Sequence, residues 1–232
     1  MKKKLKGPVA VIAILLVAVA TSVLATWLSA IIEEEPPGIE AFELAGADDE
    51  AGRQIDWNSM PPEIVAWVEV PGTSIDEPVA QATPEAPNAY LHEDAMGQGA
   101  YGTPYIDCEC SVDSRYVMVF GHHMSDGSAF ADFASFIDEG YARGNSEIIV
   151  YKRSGETLHL RPVAVDVVNA SRERLVIDQE AGFGEIVDGS DLILEEPSED
   201  GQLFAFTTCS YQTRNSRTTV YATSDPEALF PD

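Results

Sequence analysis

The sequence predicts a mainly β fold, a closed or nearly closed barrel, and three observations carry that expectation. β-prone runs recur at short intervals: 64–70, 116–120, 147–151, 157–160, 163–169, 192–194, 203–208 and 218–222. Turn chemistry separates several of them, as in Pro71-Gly72-Thr73 and Arg153-Ser154-Gly155. Helical periodicity stands out only once, so many short strands at modest spacing favour a barrel over a parallel α/β sheet. There is no internal repeat and no phosphate-cradling glycine loop.

The N-terminus reads differently from the rest. Met1-Lys2-Lys3-Lys4-Leu5-Lys6 holds four of the chain's five lysines, and residues 9–32 are uncharged and mostly apolar. That span is long enough to cross a hydrocarbon core of ~30 Å at 1.5 Å per residue. Lysines before it and Glu33-Glu34-Glu35 after it place the N-terminus in the cytoplasm and the remainder outside. A cleaved signal peptide is the competing reading, but its apolar region would be about 7–15 residues. The expected organisation is a basic cytoplasmic tail over 1–7, a transmembrane helix over 8–32, an acidic linker over 33–54 and an extracellular domain over 55–232. Pro36-Pro37-Gly38 suits a tether that lifts that domain off the membrane.

Charge divides at the same boundary. Beyond the span 10 basic residues face 39 acidic ones, a formal −29. Such a surface argues against nucleic acid as a partner and keeps the domain soluble. Cysteine is sparse: Cys108, Cys110 and Cys209. An odd count leaves at least one free thiol in a monomer, and Cys108 and Cys110 are too close to bridge easily. The C-x-C pair lacks the further ligands of a zinc site, so no metal is expected. After Asp126-Gly127-Ser128, the residues Phe130, Phe133, Ala134, Phe136 and Ile137 fall at helical spacing, with Gly140 as a stop. Those phenylalanines suit core packing. Residues 178–190 form either a short helix or a loop.

The chemistry concentrates in two stretches. Phe204-Ala205-Phe206 is a buried strand running into Thr207-Thr208-Cys209-Ser210-Tyr211, and Arg217 opens the next β-prone run. If the two strands pair as a hairpin, a thiol and a guanidinium share one rim of the sheet. Positive charge favours the reactive thiolate, and arginine offers a fork of donors to a developing oxyanion. By itself, a single cysteine after an apolar strand is more often a small buried hydrophobe than a nucleophile. Upstream, 116–120 ends at Gly121-His122-His123-Met124, where a glycine lets the chain turn and aims an imidazole over the rim. Histidine suits proton transfer near neutrality. His92, in a polar loop, and His159, inside a strand, read as structural.

These motifs together resemble the sortases, and within them class B. The matching pieces are IVAWVEVPGTSIDEPVAQ (64–81), YVMVFGHHMSDGSAFADF (116–133) and FAFTTCSYQTRNSR (204–217). The resemblance implies a closed eight-stranded β-barrel with accessory helices, anchored by its N-terminal helix outside a Gram-positive cell. It implies Cys209 as nucleophile, His122 as general acid/base and Arg217 as the oxyanion or substrate-orienting group, with Thr208 and Ser210 as candidate substrate contacts and no cofactor. Implied partners are surface proteins bearing a C-terminal sorting signal and a peptidoglycan precursor amine. The chain departs from the class B pattern in three places. It has only the weak 178–190 segment where a long helix is usual, His123 where asparagine is frequent, and Arg214 as a second nearby arginine. A pilin-polymerising sortase commonly carries a second, C-terminal span, which the polar run 223–232 is not. The remaining alternative is a surface-binding barrel that retains the motif without catalysis.

Overall fold

The computed structural model describes residues 53–97, 102–171, 175–210 and 215–224. The expected transmembrane helix and most of the acidic linker lie outside them. Among the described residues no helix is long and apolar enough to cross a membrane.

The chain forms nine strands: β1 (Ile64–Glu69), β2 (Asp76–Gln81), β3 (Tyr105–Ile106), β4 (Tyr116–Gly121), β5 (Ile148–Lys152), β6 (Thr157–Asn169), β7 (Leu192–Ile193), β8 (Leu203–Ser210) and β9 (Ser216–Ser224). They make one sheet in the order β5-β1-β2-β3-β4-β8-β9-β6-β7, and a further pairing of β5 with β6 closes eight of them into a barrel. β6 makes closure possible by its length. Its first residues pair with β5, Ala164 and Val165 pair with the short β7, and its other edge carries β9 from Leu160 to Asn169. The runs expected separately at 157–160 and 163–169 are therefore one strand, its ladder shifting register between Pro162 and Ala164. A proline lacks the N–H that the ladder requires, so an irregularity there follows from the sequence.

Alternation sets the faces. In β1, Ile64, Ala66 and Val68 are buried while the residues between them are half-buried. β8 is buried along nearly its whole length, and Cys209 near its end is exposed. Phe130, Phe133, Phe136, Phe204 and Phe206 are all fully buried. Phe133 stacks on Phe206 at 5.0 Å between centroids, and Phe130 meets Phe133 edge-on at 5.0 Å. Burying each such ring contributes about 1.5–3 kcal/mol. The aromatic cluster therefore fixes β8 from behind.

The phenylalanine segment corrects one expectation. It is a 3-10 helix over Ala131–Ile137, followed by α1 (Glu139–Gly144), so Gly140 lies inside a helix and does not stop one. Asp138 breaks the first element with an extended backbone and caps the second, its side chain accepting from the Tyr141 N–H. The weak 178–190 segment is helical only over α2 (Phe183–Val187).

Candidate active site

Three adjacent strands deliver the three predicted groups. β4 and β8 run parallel with Gly121 opposite Thr208, so the next residues along, His122 and Cys209, leave the two strands at the same level. β8 and β9 run antiparallel with Cys209 directly opposite Arg217. Imidazole, thiol and guanidinium thus stand in a row across the sheet. They line one cavity of about 200 Å³, together with Asn88, Tyr90, Tyr105, Asp107 and Phe120.

Gly121 owes its identity to what lies behind it. A Cβ there would overlap the Phe130 ring. The residue is in regular strand pairing, so the small side chain serves close packing and not the tight turn expected from the sequence. The loop after it is held firmly. Phe130 N–H donates to the His122 carbonyl at 2.9 Å, and Ala129 carries a left-handed φ of 56°. Ser74 stitches that loop to the β1–β2 turn, its N–H donating to Asp132 Oδ2 at 2.7 Å and its hydroxyl to the Gly127 carbonyl at 2.6 Å.

The two adjacent histidines diverge. His122 Nε2 lies 2.5 Å from the Leu91 carbonyl oxygen. His123 Nδ1 lies 2.9 Å from the carbonyl oxygen of Cys209, touching that residue's main chain and not its sulfur. A third ring lies near His122: His92, expected to be structural, has its ring centroid 6.5 Å away. His159 pairs with Glu147 at 2.8 Å, away from the site.

Arg217 is half-buried, and no described residue accepts a hydrogen bond from its guanidinium. Among the described residues no carboxylate forms an ion pair with it. Its field reaches the Tyr105 phenol. Burial raises that phenol's pKa, Asp107 raises it further, and Arg217 pulls it back down. Arg217 also borders a second cavity of about 380 Å³ with Asp107, Cys108, Glu109, Leu175 and Ile177.

The two candidate substrate contacts separate. Thr208 borders the cavity that His122, Cys209 and Arg217 line, and no described residue hydrogen-bonds its buried Oγ1. Ser210 is placed elsewhere: its buried hydroxyl donates to Ser216 Oγ at 3.2 Å, so its side chain serves the β8–β9 ladder. The helix α2 does not wall the site either, because the Arg115 guanidinium stacks over Phe183 at 4.0 Å on another part of the surface. The wall beside Arg217 comes from Ala170, Leu175 and Ile177. Sequence reasoning missed Tyr90, Leu91, Tyr105 and Asp107. Tyr90 and Leu91 reside on a 3-10 turn (Ala89–Leu91), Tyr105 on a two-residue strand and Asp107 just after it, and both elements are too short to show periodicity.

Among the described residues no group of three His, Cys, Asp or Glu is placed to hold a metal ion. Burial raises the Cys110 thiol to about 11 and also raises Cys108, although Cys108 is only partly covered. Cys209 is the exposed thiol of the three.

Comparison with solved structures decides the fold. The barrel superposes on sortase B of Clostridium perfringens with a TM-score of 0.62 at 22% identity, covering 72% of this chain and 96% of that one. The chain has the class B sortase fold. A class B sortase of Streptococcus pyogenes involved in pilus biogenesis matches equally well, at a TM-score of 0.62 and 20% identity over 72% of this chain and 95% of that one. The Staphylococcus aureus sortase B–substrate complex gives 0.61 at 18% identity, over 72% and 81%. By sequence, 89 residues align with sortase B of Listeria monocytogenes at 27% identity, 37% of this chain and about a third, 35%, of that relative's length. No family model matches the chain.

Proposed function

We propose that this protein is a cysteine transpeptidase of the class B sortase type, tethered to the membrane with its barrel outside the cell. The observation that carries the reading is the row of His122, Cys209 and Arg217 along one rim of a sortase B barrel. In the reaction, the Cys209 thiolate attacks the carbonyl of a threonine in a C-terminal sorting signal. The tetrahedral oxyanion collapses, the C–N bond breaks, and His122 gives its proton to the departing amine, leaving a thioester. A wall-precursor amine then attacks the thioester while His122 takes up its proton, and Cys209 leaves as thiolate. Arg217 donates to the oxyanion in both steps. Each step is complete without a metal or organic cofactor.

A second reading has one observation behind it: an equally similar fold belongs to a sortase involved in pilus biogenesis. There the attacking amine would be a lysine side chain of a protein. The test incubates the protein with sorting-signal peptides and either an aminated glycan-peptide or a lysine-containing protein acceptor, and reads products by mass spectrometry. Thioester at Cys209 followed by transfer supports transpeptidation, and the preferred acceptor separates the two readings. A protein that neither forms the thioester nor reacts with a thiol-directed sorting-peptide mimic is a binding barrel.

A further inference from the structure

Among the described residues the Leu91 carbonyl is the single hydrogen-bond partner of the His122 ring. A carbonyl oxygen offers only lone pairs, so the nitrogen facing it must carry the proton. The bond therefore requires Nε2–H, and in the neutral ring it leaves the lone pair on Nδ1. We propose that the backbone carbonyl of Leu91 is the orienting partner of His122. It fixes the tautomer, so that Nδ1 is the nitrogen that exchanges protons with the reacting amine. Orientation of a catalytic histidine is commonly the task of a carboxylate side chain; here a main-chain carbonyl from a turn thirty-one positions earlier fills it.

Two local features suit the turn to this task. Ala89–Leu91 is a single 3-10 turn, and helix-terminal carbonyls have no partner within their own helix. No described backbone N–H claims the Leu91 oxygen, which leaves it to the imidazole. The turn is also fixed from the far side. Gly102 lies directly against the Tyr90 and Leu91 carbonyls, and a Cβ at that position would overlap both oxygens. Beside it, Thr103 N–H donates to the Glu93 carbonyl at 3.2 Å, and Ala95 N–H donates to Thr103 Oγ1 at 2.9 Å. Thr103 is buried, so this clamp lies beneath the turn. Gly102 is thus a positioning residue, acting on His122 through Leu91. The other titratable groups around the ring are His92 beside it and Tyr90, Tyr105, Asp107, Cys209 and Arg217 around the shared cavity. None of them is hydrogen-bonded to it.

The proposal builds on the transpeptidase reading for what Nδ1 does, but the tautomer is measurable without any reaction. The experiment labels the full chain with 15N-histidine and assigns the His122 signals by their loss in His122→Gln. In the neutral ring the expected pattern is a protonated Nε2 and an unprotonated Nδ1. Gly102→Ala should shift His122 toward mixed tautomers and lower kcat for peptide cleavage on the order of tenfold, with KM little changed. Its melting temperature, followed in parallel, separates displacement of the carbonyl from loss of the fold. An Nδ1–H tautomer in the wild type overturns the assignment. So does a folded Gly102→Ala with wild-type tautomer and kcat. If that variant does not fold, the wild-type spectrum decides alone. A wild-type protein that cleaves no sorting peptide would instead count against the transpeptidase reading, and the spectrum would still report on Leu91.

Discussion

Cys209 and Arg217 face one another across the antiparallel β8–β9 ladder, so that a single cross-strand pair holds both the thiol and the guanidinium. Directly opposed residues in such a ladder have Cβ atoms ~4.5–5.5 Å apart. An arginine at this distance can serve a developing oxyanion on the carbon that the sulfur attacks. Lysine keeps the charge but loses the planar fork of donors. Arg217→Lys and Arg217→Ala are both expected to lower kcat/KM for a sorting peptide by roughly 10²-fold or more. Steady-state kinetics with melting curves check this, and near-wild-type turnover in Arg217→Ala would remove the residue from the reaction.

The paired histidines should respond differently to substitution. His122→Ala is expected to abolish transfer. His123 donates to the main chain of Cys209, and an asparagine amide can make the same kind of bond. His123→Asn should therefore retain most activity, while His123→Ala should lose about tenfold at most, the scale of one net hydrogen bond. Equal loss from all three, with circular dichroism unchanged, would contradict the division of roles.

Gly121 tests the packing behind the site. Alanine there must displace the Phe130 ring, which packs edge-on against Phe133 and Phe206. Overpacking of this kind costs about 1–3 kcal/mol. Urea denaturation of Gly121→Ala should show a lower midpoint, and kcat should fall as His122 shifts. A variant as stable as the wild type would show that the aromatic cluster yields easily.

Alkaline pH should destabilise the barrel partly through Cys110. Its folded pKa, about 11, lies above the ordinary 9, so the unfolded chain releases this proton first. The contribution is fully present below pH 9 and is lost as pH rises from 9 to 11. Its size is at most roughly 3 kcal/mol by linkage. Cys110→Ala should flatten the fall of unfolding free energy across that window relative to the wild type. An unchanged slope would mean that the thiol titrates alike in both states.

The uncharged span predicts that the full-length protein sediments with membranes and that protease added to spheroplasts removes the barrel. A soluble mature protein beginning after residue ~25 would identify a cleaved signal peptide instead.

Much of the barrel was legible because its long strands carry period-two burial or continuous apolar runs bounded by turns. β1, β4, β8 and β9 all fall where those patterns predict. That His122, Cys209 and Arg217 meet at one rim was legible because each sits at the end or start of such a strand. What stayed hidden was made by tertiary contact. β3 has two residues, and no pattern can announce it. Gly121 reads as a turn former until Phe130 is seen behind it. Ser210 reads as a companion of Cys209 until alternation turns its hydroxyl to Ser216. The Leu91 carbonyl carries no side-chain signature at all.

The position of β9 has a consequence for how the protein comes into being. It is the last of the described strands, yet it lies between β8 and β6 and supplies Arg217. The parallel pairing of β4 with β8 joins segments about ninety residues apart, and such non-local contacts form slowly because a long loop must close first. A chain still emerging therefore holds His122 long before Cys209 or Arg217 exists, and cannot close its barrel until its final strand arrives. The row of His122, Cys209 and Arg217 is thus assembled only in a molecule that has completed its fold.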